Sequence, residues 1–191
     1  MRSKRLVSLW LLLFSVVLCL PAQTKVAFFE EHIDFKLDRE HFSVNGIYSF
    51  RNRTKELVAQ RISFPFASDA GEVDSIRVLD LNCLKAVPFL KSGNAIYFEL
   101  HVLPDDTLAV QIAYRQKALA KNTYILTSTR AWGRPLDRAF YTLTTPAGIP
   151  VRSFSYQPDS VRQTAGQRVY FWKKTQFLPA QDFEVVVDKA P

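Results

Sequence analysis

Glycine is scarce, six in 191 residues, and each stands singly in a turn or strand context. No Gly-rich phosphate-binding loop can be built from that distribution. Histidine is scarcer still. His32, His41 and His101 are the full set, and neither a Gly-x-Ser-x-Gly elbow nor a His-Glu-x-x-His helix occurs. No nucleotide or redox cofactor signature is present, so no cofactor is expected. Only two cysteines occur, Cys19 and Cys83. Long apolar runs are also missing, with one exception at the start of the chain.

That exception reads as an export signal. Met1-Arg2-Ser3-Lys4-Arg5 precedes an apolar run from Leu6 to Leu20, and Pro21-Ala22-Gln23 follows. A basic start, a short apolar stretch and a small residue after a helix breaker form the secretory layout. The run is shorter than the roughly 20 residues a stable transmembrane helix needs. The reading is a signal peptide over 1–23, cut after Ala22 or Gln23, with an uncleaved anchor as the alternative. Leu18 precedes Cys19 where a lipidation signal calls for a small residue. With Cys19 removed, Cys83 has no intramolecular partner, so folding rests on packing alone. Cys83 follows Leu81-Asn82 and is read as a small buried hydrophobe.

The whole chain carries +7 at neutral pH, and removal of Arg2, Lys4 and Arg5 lowers this to +4. The remainder is uneven. Residues 24–110 hold 10 basic and 13 acidic groups, and residues 111–191 hold 12 and 5. A basic second half could face a polysaccharide or anionic headgroups. Solvated charge scattered over strand faces accounts for the same numbers and is the preferred reading. Nucleic acid is not expected as a partner, because no nucleic-acid motif is present.

The dominant pattern in what remains is alternation. Phe42, Val44, Tyr48 and Phe50 share one parity, with Ser43, Asn45 and Ser49 between them. Ile33, Phe35 and Leu37 alternate likewise with His32, Asp34, Lys36 and Asp38. Such period-two runs predict half-buried strands. Further strands read at 58–66, 73–81, 95–101, 107–115, 124–129, 139–144, 151–156, 169–173 and 183–187. Turn formers separate them, among them Ser68-Asp69-Ala70-Gly71, Lys91-Ser92-Gly93-Asn94 and Pro158-Asp159-Ser160. One short helix is predicted over Gln116–Asn122. The fold class is therefore all-β, an antiparallel β-sandwich of about ten strands over 24–191. A soft boundary near 116–123 leaves two packed β-subdomains open.

Several motifs together carry a resemblance. Val44-x-Gly46-x-Tyr48-x-Phe50-x-Asn52-x-Thr54 leads into Ile62-Ser63-Phe64-Pro65-Phe66. Val110-x-Ile112-x-Tyr114, Tyr124-Ile125-Leu126-Thr127, Trp132-Gly133-Arg134-Pro135-Leu136 and Phe177-Leu178-Pro179-x-x-Asp182-Phe183 follow. With them the chain resembles a family of exported bacterial β-proteins whose function is not established. The resemblance implies an exported bacterial β-sandwich and no active site.

Candidate chemistry is thin. Glu30, His32 and Asp34 share one strand face, but same-side neighbours sit about 7 Å apart, too far to share one ion unaided. No metal site is expected there. Glu99 and His101 share a face and could form an acid–base pair, although an exposed strand face explains them as well. Asn52-Arg53-Thr54 is a formal glycan acceptor, read here as a polar turn. The aromatics are the feature most open to a binding role. Trp132 lies between Arg130 and Arg134, and Trp172 precedes two lysines, so these four residues are the candidate ligand-binding set.

The functional reading is a non-enzymatic interaction or structural module of the bacterial cell envelope. Its expected location is the periplasm, the cell surface or the medium, and its expected partner an envelope protein or polysaccharide. A carbohydrate-binding accessory domain built on Trp132 and Trp172 is the alternative. A hydrolase assembled from distant residues such as His101, Glu99 and His32 is the second.

Overall fold

The two best alternating segments form a hairpin. β1 (Val26–Leu37) and β2 (His41–Asn52) pair antiparallel. The Asp38 carboxylate closes the turn by accepting the backbone N–H groups of Glu40 and His41 at 2.9 and 2.8 Å. Ile33, Phe35, Leu37, Phe42, Val44, Tyr48 and Phe50 all point to one buried face, as their parity predicts. The structure, a computed structural model, describes residues 25–188, and the leader expected at 1–23 lies outside them.

This hairpin is the middle of a large sheet. β8 (Thr107–Lys117) pairs with β2, β4 (Val73–Asp80) with β8, and β5 (Lys85–Ala86) with β4. On the other side β10 (Leu136–Pro146) pairs with β1, β13 (Gln167–Phe177) with β10, and β12 (Ser160–Gln163) with β13. This eight-stranded sheet draws strands from both sides of 116–123.

Two three-stranded sheets lie over its apolar face. One has the order β3-β7-β6, from β3 (Val58–Pro65), β7 (Ala95–Val102) and β6 (Phe89–Ser92). The other has the order β11-β14-β9, from β11 (Val151–Phe154), β14 (Phe183–Val187) and β9 (Lys121–Tyr124). Aromatic contacts join the layers. Phe35 of β1 stacks on Phe183 of β14 at 4.5 Å, and Tyr48 of β2 meets Phe64 of β3 edge-on at 5.5 Å.

The chain is thus all-β, with a 3-10 helix at Thr127–Trp132 as the only helical element among the described residues. Several details depart from the sequence reading. Fourteen strands are present among the described residues rather than about ten, because β5, β6 and β12 are too short and exposed to show a pattern. The β1–β10 pair is parallel, in a sheet expected to be antiparallel throughout. Gln116–Asn122 is not a helix. The alternation of β8 runs on through buried Gln116, and Asn122 then closes a tight turn. Its side-chain amide donates to the Leu119 carbonyl at 2.7 Å, while its oxygen accepts the Leu119 N–H at 2.9 Å. The strand expected over 124–129 ends at Tyr124, and Asp182 draws the chain aside by accepting the Thr127 N–H at 2.9 Å.

Cys83 is exposed, against the expectation of a core residue. It sits in the turn between β4 and β5, where the Asp80 carboxylate accepts the N–H groups of Asn82 and Cys83 at 2.8 and 3.2 Å. Leu81, the apolar residue that suggested burial, is only half-buried, and Leu84 on the other side is 73 % exposed. A turn pinned by its own side chain leaves those residues no core to enter.

Candidate functional site

The two small sheets do not meet edge to edge. β3 is the outer strand of one and β9 of the other, and between them the large sheet carries a cavity of about 230 Å³. Its floor comes from Phe28 and Glu31 of β1, Tyr48 and Phe50 of β2, and Ile112 of β8. The 3-10 helix forms one wall with Ser128, Thr129, Ala131 and Trp132, and β3 forms the opposite wall. All six consecutive residues Gln60–Pro65 line it. A strand that showed a side-chain face would contribute alternate residues, so β3 presents its unpaired backbone edge to the cavity. Arg61, Ser63 and Ala131 are exposed and mark the mouth.

Glu31 is the unusual residue of the floor. It is 1 % exposed and sits on the apolar face, directly across from Tyr48 of β2 and Ala139 of β10. The small Ala139 leaves room for the Tyr141 hydroxyl, one pair further along, to donate to Glu31 Oε1. Among the described residues the other oxygen, Oε2, accepts no hydrogen bond, and no basic side chain pairs with the carboxyl. Burial without a countercharge disfavours the ionised form. It raises the Glu31 pKa from 4.5 to about 7, with the Tyr141 hydrogen bond opposing the rise. The hydroxyls of Tyr48 and Tyr124 share a hydrogen bond of 2.8 Å beside it. Burial pushes the pKa values of Tyr48, Tyr124 and Tyr141 well up, so these phenols stay neutral.

Local sequence explains the arrangement. A register shift between Phe28 and Glu30 bulges β1 at Phe29, which turns Phe28 and Glu31 inward on the same side despite their opposite parity. Gly46 lies two residues before Tyr48 on the same face, and any Cβ there would collide with the Tyr48 ring. The missing side chain lets the ring fold back and place its hydroxyl near Tyr124. Phe28 and Phe50 stack at 5.2 Å, and Trp132 leans on both at 5.8 and 5.4 Å.

Of the four candidate ligand-binding residues, Trp132 alone lines this cavity. Arg130 is exposed on the 3-10 helix, and Arg134 is held by Asp137 at 3.0 Å. Trp172 is 2 % exposed. Its Nε1–H donates to the Tyr156 carbonyl at 2.8 Å and its ring packs against Phe154 and Phe183. A tryptophan with both faces in the core cannot stack on a sugar, so the two tryptophans form no shared platform.

The other sequence candidates lie elsewhere. Glu30 pairs with Arg138, and Asp34 accepts the Thr142 hydroxyl at 2.6 Å, both on the outer face of the large sheet. His101 lies 3.3 Å from Glu99 on the exposed side of β7. Cys83 shares a shallow groove with that pair, without a hydrogen bond from thiol to imidazole among the described residues. Asn52 of the glycan sequon is wholly buried. Its amide donates to the carbonyls of Glu56, Val102 and Leu103, and its oxygen accepts from the Thr54 N–H and hydroxyl. Sequence reasoning missed Glu31, Tyr124 and Tyr141 as a group. The available signal was a carboxylate in phase with Ile33, Phe35 and Leu37.

No family model matches the chain, and no curated protein is detectably similar in sequence. Solved structures show likeness of fold. A candidate nutrient-binding protein from Legionella pneumophila superposes with a TM-score of 0.70 at 15 % identity, covering 86 % of this chain and 67 % of that one. An M1 zinc metallopeptidase from Deinococcus radiodurans gives 0.52 at 15 % identity, over 86 % of this chain and 43 % of its own. A mutant of that enzyme with a bound Tyr-Ser-Ala substrate gives 0.52 at 14 %, with the same coverage. The chain therefore spans under half the length of the metallopeptidase, and at these identities the likeness is one of fold alone.

Proposed function

We propose that the chain is an exported, non-enzymatic binding module of the bacterial envelope, with a β-sandwich architecture and a small-molecule site in the Glu31 cavity. The observation that carries this reading is an almost fully buried carboxyl, with one oxygen unpartnered, at the floor of an open aromatic cavity. Structural cores rarely hold such a group, because it costs stability and could be replaced by an apolar residue. Concave, mostly apolar sites with a few convergent polar groups are the usual form of a ligand pocket. The likeness to a candidate nutrient-binding protein is in keeping with this reading, as is the leader-like segment at 1–23.

Ligand-observed NMR with a library of small fragments tests it. Fragments that bind should lose their signal change in Ala131→Trp, which fills the cavity mouth from an exposed position and should leave the fold intact. Absence of any fragment binding, or binding untouched by Ala131→Trp, would sink the proposal.

A further inference from the structure

The cavity's chemistry also restricts what enters it. Resting on the cavity reading above, we infer that the occupant is a small organic cation, an ammonium group on a compact apolar body, whose charge is met by the Glu31 carboxylate. Three features converge on this class. First, Glu31 Oε2 has no hydrogen-bond partner among the described residues, so an incoming N–H donor finds a free acceptor. An apolar ligand would leave that oxygen unpaired, and an anion would face a carboxyl with no cation behind it. Second, the surrounding rings are those of Phe28, Phe50, Phe64, Tyr48 and Trp132, whose faces carry negative potential and attract cations. Third, among the described residues the only basic one lining the cavity is Arg61, which is exposed at the mouth with its guanidinium 3.6 Å from Glu99. It leaves the charge at the floor uncompensated. The volume of about 230 Å³ suits a ligand of modest size.

Such a ligand must displace a proton. The titratable groups facing Glu31 are Tyr48 from β2, Tyr124 from β9 and Tyr141 from β10, β8 contributing only Ile112 to the lining, and all three phenols have raised pKa values that keep them neutral. Below neutrality Glu31 is itself protonated in the empty protein, with a pKa of about 7. Binding of an ammonium then breaks the carboxyl O–H bond, leaves an ion pair in the cavity and releases the proton to buffer. Above pH 8 the carboxyl is already ionised and the ligand binds without that step.

Benzylammonium and its neutral isostere benzyl alcohol make the test, titrated calorimetrically at pH 5.5 and pH 8 in buffers of different ionisation enthalpy. At pH 8 the ammonium should bind at least about ten-fold tighter than the alcohol, the scale of one charge-assisted hydrogen bond. At pH 5.5 its affinity should fall by about 30-fold, with about one proton released per ligand, while the alcohol's affinity stays level. Glu31→Gln keeps the shape and should remove both the preference and the proton release. Should that variant fail to fold, proton release by the unaltered protein decides the matter. Equal binding of ammonium and alcohol at both pH values overturns the cation inference and leaves the cavity reading standing. If neither probe binds and the fragment library is silent too, both readings fall.

Discussion

Glu31 should impose its own pH dependence on folding, opposite in sign to that of most carboxylates. Its pKa is raised from 4.5 to about 7 in the folded chain. Between those values the folded state holds a proton that the unfolded chain has released, so stability falls as pH rises through the window. Below pH 4.5 both states are protonated and the effect vanishes. Above pH 7 both are ionised and the full penalty applies. A shift of this size corresponds to about 3 kcal/mol. Glu31→Gln has no such titration, so the difference between the two proteins isolates it from every other ionisable group. Urea unfolding at intervals from pH 4.5 to 8 should show the wild type losing about 3 kcal/mol relative to the glutamine variant, with the loss complete just above pH 7. Parallel stability profiles for the two proteins would refute the assignment of a protonated, uncompensated carboxyl at that position.

Three further outcomes are expected. Asn52→Ala strands the carbonyls of Glu56, Val102 and Leu103 and should cost about 3 kcal/mol in chemical denaturation. A cost below about 1 kcal/mol would show that water replaces the amide easily. Gly46→Ala should drive the Tyr48 ring off its position and break the Tyr48–Tyr124 hydrogen bond, seen as a change in tyrosine near-ultraviolet dichroism with the sheet intact. Cys83 should react with a thiol reagent in the native protein as fast as it does in urea, and Cys83→Ser should change stability by less than about 0.5 kcal/mol. Protection that disappears only on unfolding would contradict the exposed turn.

Parity made most of the large sheet legible. Phe42, Val44, Tyr48 and Phe50 share a buried face because a strand's side chains alternate without exception while its register holds. The same rule hid the site. Phe28 and Glu31 have opposite parity, and only the bulge at Phe29 brings them together, a backbone event with no residue signature here. Tyr141 is about 110 residues from Glu31, and the pairing of β1 with β10 that joins them is a long-range choice no local pattern encodes. The helix expected over Gln116–Asn122 fails for a related reason: Ala118, Leu119 and Ala120 favour a helix, and the Asn122 side chain overrides them by closing the turn between β8 and β9. Trp172 shows the limit of reading aromatics by type, since the exposed Lys173 beside it lies on the opposite face of β13 and says nothing of where the ring goes.

The parallel pairing of β1 with β10 also bears on synthesis. β1 finds β2 at once, but its other edge stays vacant until β10 emerges about a hundred residues later. At ordinary elongation rates of 5–20 residues per second that interval is roughly 5 to 20 s. Throughout it, a twelve-residue strand offers both an open ladder and an apolar face to any neighbouring nascent chain. A fragment ending at residue 120 would keep that vacancy permanently and should self-associate instead of folding. In the 191-residue chain the arrival of β10 closes that edge.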